Sequence, residues 1–194
     1  MKPKTNGIIK ALKSHSKETG TKPFTTQIQY KDLDSKAYYE YTNTTVLIRF
    51  DSSVFNTKEN IKLFSDSNCK IFPTTDRLFL KFTDDNKTQT FDTRLLLDNI
   101  RKLEKNPKTH QKETKKHRFI DFLYNNRCFT NYHDSTLPDR FRVDSYNLKT
   151  ILRIFSMLQC DKTTITYNKK HPHRTITLEC ALATAILAPI RYMD

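Results

Sequence analysis

Glycine is nearly missing from this chain: of 194 residues, only Gly7 and Gly20 are glycine. Folds that cradle phosphate in a glycine-rich turn need backbone conformations and close approaches that only glycine allows. The P-loop and the dinucleotide-binding fingerprint are therefore excluded from residues 21 to 194, and with them a nucleotide-driven enzyme. Cysteine is present but scattered. Cys69, Cys128, Cys160 and Cys180 form no Cys-x-x-Cys pair, so the spacing gives neither a zinc ribbon nor a redox motif. No apolar run approaches the length of a membrane span, and the start Met1-Lys-Pro-Lys-Thr-Asn-Gly7 lacks the apolar segment of a secretory signal. An intracellular, reduced protein with no membrane partner is expected, nuclear in a eukaryote and cytoplasmic otherwise. The sequons at Asn43 and Asn86 are then silent.

Negative charge is the other shortage. Lys and Arg number 34 against 21 Asp and Glu, a formal net charge of +13 with an isoelectric point near 9.6. Such a field concentrates polyanions, nucleic acid first among them. What remains supports a core: 36% of residues are hydrophobic and 11% aromatic, although 28% are charged and the mean hydropathy of -0.71 keeps much of the chain in water. The length suits one ordinary domain, or one with appendages.

The clearest local signal runs from Asp144 to Leu158. Leu148, Ile151, Leu152, Phe155 and Leu158 recur as one apolar stripe of helical period, Asp144 or Ser145 caps the first turn, and Lys149 and Arg153 stand i, i+4 on another face. Upstream, Thr45 to Phe50 reads as a strand, and Asn56-Thr-Lys-Glu59 as the cap of a short helix carrying Ile61 and Phe64, with Lys58 and Lys62 again i, i+4. Lys70 to Pro73 and Arg77 to Phe82 read as two further strands. A second amphipathic helix follows, capped by Asp92 and built on Leu96, Ile100 and Leu103. It leads into the densest positive segment, Arg101 to Arg118, with eight Lys or Arg against two Glu. Arg101, Lys102, Lys105, Lys108, Lys112, Lys115 and Lys116 there form either a solvated loop or a phosphate-contacting one. Arg118 to Tyr124, Phe141 to Val143, a Thr163–Asn168 and Arg174–Cys180 hairpin, and Thr184 to Ile190 complete the strands. Residues 1 to 43, mildly basic and with little apolar period outside Ile8 to Leu12, read as a flexible basic tail with a late ordered piece, or as a disordered solubilising arm.

The order strand, helix, strand, strand, then strand, strand, helix and three strands resembles one repeat of the DNA sliding clamps, the family that includes proliferating-cell nuclear antigen. The residues that carry the likeness are His117-Arg-Phe-Ile-Asp-Phe-Leu123, Phe129 and Tyr132, Phe141-Arg-Val-Asp144, Leu148-Lys-Thr-Ile-Leu-Arg153 and Leu187-Ala-Pro189. The resemblance spans about residues 45 to 192. It implies an α+β clamp-like repeat over 44–194, two helices packed on one side of curved antiparallel sheets, an inserted helix and basic loop at about 84–116, and helix cations that touch DNA phosphates. Arg153 falls on a basic position of the family's second helix, and Lys149 falls beside one. A clamp subunit holds at least two such repeats and a long connector where partners dock. A single repeat without that connector implies pairing with another clamp-like protein or enzyme subunit, or self-association through edge strands.

Chemistry is thinly represented. His171-Pro-His173 lacks further ligands at metal spacing, Asp84-Asp85 and Pro138-Asp139 lack the partners of a nuclease site, and Cys128 with His133 is no nucleophile signature. No catalytic residue, metal or cofactor is expected. Two functions follow. One is a sequence-nonspecific accessory factor of DNA replication, repair or modification that binds double-stranded DNA; the other is an assembly subunit whose charge serves solubility.

Overall fold

The computed structural model describes residues 4–18, 27–33, 36–43, 45–64, 86–105, 119–123, 128–130, 140–170 and 175–190. Among them are three α-helices, α1 (Thr5–Glu18), α2 (Thr93–Lys105) and α3 (Ser145–Met157). The strands are β1 (Gln27–Leu33), β2 (Lys36–Thr42), β3 (Val46–Asp51), β4 (Ile61–Lys62), β5 (Asn86–Asp92), β6 (Phe119–Leu123), β7 (Cys128–Thr130), β8 (Arg140–Asp144), β9 (Lys162–Asn168), β10 (Ile176–Cys180) and β11 (Ala183–Leu187). They make an eight-stranded sheet in the order β4-β1-β2-β3-β11-β10-β9-β5 and a three-stranded sheet β7-β6-β8. Every pairing is antiparallel, and the helices pack on these sheets in an α+β architecture.

Alternation sets which sheet face enters the core. In β2 and β3, Tyr39, Tyr41, Val46, Ile48 and Phe50 are buried toward the helices. The strands join at a tight turn, where the Asn43 side chain accepts from the backbone N–H groups of Thr45 and Val46. Ile48 lies opposite Ala185 at the β3–β11 seam, which welds the N-terminal strands to the C-terminal ones. The opposite face carries polar cross-strand pairs: Glu40 bonds Lys31 at 2.7 Å and Arg49 at 2.8 Å, and Thr90 meets Thr164 at 3.1 Å.

Two strand–helix junctions repeat one design. β8 ends at Asp144, whose carboxylate accepts from the N–H groups of Tyr146 and Asn147 at the start of α3. β5 ends at Asp92, which accepts from those of Arg94 and Leu95 at the start of α2. The leading strands are exchanged: β5 pairs with β9, which follows α3, and β8 pairs with β6, which follows α2. Asp121 of β6, fully buried, holds Arg142 through both oxygens at 2.7 and 3.0 Å and Arg140 at 3.1 Å. That cluster fixes the register of the smaller sheet, and Asp121 and Arg142 belong to the two strand motifs that carry the clamp resemblance.

Several expectations change here. The described part of residues 1–43 is not a tail: α1 buries Ile8, Ala11, Leu12 and His15, and the late ordered piece expected at 24–30 and 38–41 is met, over its described residues, by β1 and β2, which are interior to the large sheet. The helix expected after Asn56 is absent among the described residues. Ile61 and Lys62 pair instead with Ile28 and Gln27 of β1, because a long-range ladder wins over a short local helix signal. The inserted helix is present as α2, but it is integral, since β5 closes one sheet edge and α2 packs on α3. The strands expected at 70–73 and 77–82 lie outside the described residues, as do Tyr132, the His171-Pro-His173 turn, Asp84-Asp85 and Pro138-Asp139.

Candidate nucleic-acid interface

The three helices form one layer with α3 in the middle. Lys4 N–H donates to the Met157 carbonyl at one end of the α1–α3 contact, and His15 meets Asn147 at the other, so these helices run antiparallel. Gly7 allows the approach: a Cβ there would lie 3.2 Å from the Met157 sulfur. α2 is antiparallel to α3 on the other side, where Glu104 near its end accepts from Ser145 at 3.0 Å and Lys149 at 2.7 Å.

The α1–α3 contact is built on a buried imidazole. His15 Nε2–H donates to Asn147 Oδ1 at 2.9 Å, which leaves Nδ1 to accept from the Tyr41 hydroxyl at 2.8 Å. Tyr41 also bonds the Ser16 hydroxyl at 2.9 Å, and burial pushes its phenol up to about 12 despite that bond. The imidazole stacks on Tyr146, with ring centroids 5.5 Å apart, and Asn147 donates onward to Thr45 at 3.1 Å. A helix read as a tail is thus locked to residues 26 and 132 positions away.

The sequence-expected cations divide. Arg153 is exposed on α3 and makes no ion pair among the described residues. Lys149 is not a spare charge: it is half-buried, paired with Glu104, and lies 5.9 Å over the Tyr146 ring. Arg101 is exposed and pairs with Asp98 at 3.0 Å across one turn of α2. Lys102 is exposed on the same helix, and Lys105 is its last residue. Lys58 sits in the exposed loop before β4. Lys62 is exposed on β4 and alternates with core-packed Ile61, which puts it on the sheet face away from the helices, so neither joins the helical layer. Lys108, Lys112, Lys115 and Lys116 lie outside the described residues.

The structure adds cations that sequence reading missed. Lys10, Lys13 and Lys17 are exposed along α1, and Arg94 is exposed at the start of α2. Their signal was present: Ile8, Ala11, Leu12 and His15 stand at i, i+3, i+4 and i+7, with the lysines between them on the other face. The two acids of α2, Asp98 and Glu104, are neutralised by Arg101 and Lys149. The layer therefore presents a surplus of guanidinium and ammonium groups from three helices, with no group of three or more His, Cys, Asp or Glu among the described residues placed to hold a metal ion. No described helix is long and apolar enough to cross a membrane.

Solved structures of DNA sliding clamps share this fold. The chain is similar to the beta subunit of the Streptococcus pyogenes DNA polymerase, at a TM-score of 0.62 and 12% identity over 99% of this chain and 66% of that one. It is similar to the Bacillus subtilis sliding clamp at 0.60 and 10%, over 98% and 63%. The Helicobacter pylori beta clamp bound to a DNA ligase peptide gives 0.61 and 12%, over 98% and 64%. The fold is that of the sliding clamps, and the chain spans about two-thirds of the length of those it matches. No protein-family model matches the chain, and no curated protein matches it in sequence.

Proposed function

We propose that the chain is a non-catalytic accessory protein that holds double-stranded DNA, without regard to sequence, against the face made by α1, α3 and α2. The observation that carries this is the one-sided basic layer: Lys10, Lys13 and Lys17 on α1, Arg153 on α3, and Arg94, Arg101 and Lys102 on α2 are all exposed, while the acids Asp98 and Glu104 are already paired. Helix cations of this kind meet phosphates rather than base edges, so they give affinity and orientation without sequence preference. Lys105, Lys108, Lys112, Lys115 and Lys116 follow α2 in sequence and are proposed as further phosphate contacts. The fold it shares with solved DNA-polymerase beta subunits and sliding clamps supports a role in DNA replication, repair or modification, carried out together with a further copy or another clamp-like protein.

Fluorescence anisotropy on a short duplex, titrated with salt, tests the proposal. Each phosphate contact contributes about 0.9 to the slope of log K against log salt. The Lys10→Ala/Lys13→Ala/Lys17→Ala variant should flatten that slope and weaken binding equally on unrelated sequences, and Arg153→Ala should act in the same direction by a smaller step. An unchanged slope in both variants removes the helical layer from the interface. A second reading, an assembly subunit with little DNA affinity, is favoured by the exposed Leu95, and a stable hetero-complex with no salt-sensitive DNA binding would select it.

A further inference from the structure

We propose that the outer flank of α2 receives an amphipathic helix from another protein, apolar along one stripe and acidic opposite Lys102. The site does not depend on DNA binding. It is inferred from the two equivalent strand–helix junctions. When Asp92 is set on Asp144, Leu96 falls on Leu148, Ile100 on Leu152, Arg101 on Arg153 and Leu103 on Phe155, so the core-facing apolar stripe and one basic position coincide, while Leu97 takes the place of Lys149.

The flanks then differ in one respect. On α3 the positions away from α2 are Asn147, Thr150, Ile151 and Ile154, all buried on the side where α1 docks. Their equivalents on α2 are Leu95, Asp98, Asn99 and Lys102, all exposed, and Leu95 at 66% is the most exposed large hydrophobic residue among those described. Beside it lies an open groove of about 590 Å³ lined by Phe91, Leu95, Leu96, Lys102, Leu103 and Phe129. The α1 seat shows what fills such a place in this architecture: a helix antiparallel to the one it meets.

Charge selects the occupant. Lys102 makes no ion pair among the described residues, where the α3 equivalent is the fully buried Ile154, and Arg94 stands exposed one turn before Asp98. The groove's other charged residue, Asp92, spends its carboxylate on the N–H groups of Arg94 and Leu95, so Lys102 is the charge left to meet a ligand, and an ammonium beside an apolar groove takes an acid-edged apolar stripe. This chain's own described helices do not supply one, because the apolar face of α1 is buried against the core and its exposed face carries Lys10, Lys13 and Lys17. A second copy, with its net charge of +13, is disfavoured for the same reason.

Stapled helical peptides of the length of α1, 14 residues, provide the test: one with Leu at i, i+3, i+4 and i+7 edged by Glu, and a control with Lys for every Glu. Isothermal titration to the full chain should show binding of the acid-edged peptide and at least about tenfold weaker binding of the control. Leu95→Asp and Lys102→Glu should each weaken the first by about tenfold, Lys36→Ala should not, and Lys102→Glu should improve the lysine-edged control. Leu95 and Lys102 are exposed, so both variants keep the fold. Equal binding of the two peptides, no binding of either, or indifference to Leu95→Asp overturns the proposal. So does self-association of the peptide-free chain that Leu95→Asp abolishes, which would assign the flank to a second copy. The salt slope for duplex DNA should be the same in the uncharged Leu95→Asn variant and the parent chain, which separates this site from the DNA-binding proposal.

Discussion

The two flanks of α3 are held by different chemistry. Toward α1, an uncharged network of His15, Tyr41, Ser16 and Asn147 is buried, with the Tyr41 hydroxyl bridging His15 and Ser16. Toward α2, a single carboxylate, Glu104, gathers Ser145 and Lys149 at a half-exposed edge. A buried neutral network tolerates little change, because any missing member strands another in a medium that cannot solvate it. A partly exposed ion pair shares its partners with water and contributes little. The α1 flank thus sets the geometry of the layer, while the α2 flank accommodates.

The comparison can be broken most severely at His15. His15→Ala removes the ring between α1 and α3 and leaves Tyr41 and Asn147 buried without it, a loss of about 3 kcal/mol or more in urea unfolding. Asn147→Leu, which writes the α2 residue into α3, should cost about 2 kcal/mol, whereas the reciprocal Leu95→Asn on exposed α2 should stay within about 0.5 kcal/mol. Lys149→Ala should cost no more than about 1 kcal/mol, and a His15 variant milder than the Lys149 one would reverse the ranking of the flanks.

The helix caps sharpen it further through pH. Backbone N–H groups of α2, that of Leu95 first, hold the Asp92 carboxyl below the usual aspartate range. A folded-state pKa below the unfolded one means that the cap's contribution is complete above the ordinary aspartate pKa and is lost as pH falls through the depressed folded value. A carboxyl NMR titration should show Asp92 titrating below a model aspartate, and Asp92→Asn should flatten the acid limb of the stability curve. The smallest effect is expected where α3 ends. Gln159 takes a left-handed φ of 62°, with its N–H on Ser156 and that of Cys160 on Phe155. Glycine suits that position, and Gln159→Gly should raise stability by about 1 kcal/mol or less in the same unfolding assay.

Local signals explain what could be read in advance. The apolar stripes of α2 and α3, their Asp92 and Asp144 caps, and the alternation of β9 through β11 are each written within a few residues, and all appear close to their expected bounds. What could not be read depends on distant partners. Ile61 and Phe64 have helical spacing, yet the unpaired edge of β1 captures Ile61 and Lys62 as a strand. The lysines spaced between Ile8 and His15 lowered the apolar signal of α1, whose burial is decided by residues far along the chain. Of the exposed helix cations on which the DNA-binding proposal rests, Arg153 could be singled out by motif and Arg101 and Lys102 by charge density. Lys149 was misjudged because Glu104 sits 45 positions away, and Lys10, Lys13 and Lys17 were missed once α1 was taken as a tail.

The bond between His15 and Asn147 also has a temporal meaning. Its partners are separated by 132 residues, and β3 likewise waits for β11. During synthesis α1 emerges well before its seat on α3, so at translation speeds of about 5–20 residues per second Ile8, Leu12 and His15 remain uncovered for several seconds. The half-made protein therefore exposes the apolar face that later organises the helical layer, and nascent-chain arrests placed before and after α3 should show α1 passing from protease-sensitive to protected only once α3 has cleared the ribosome.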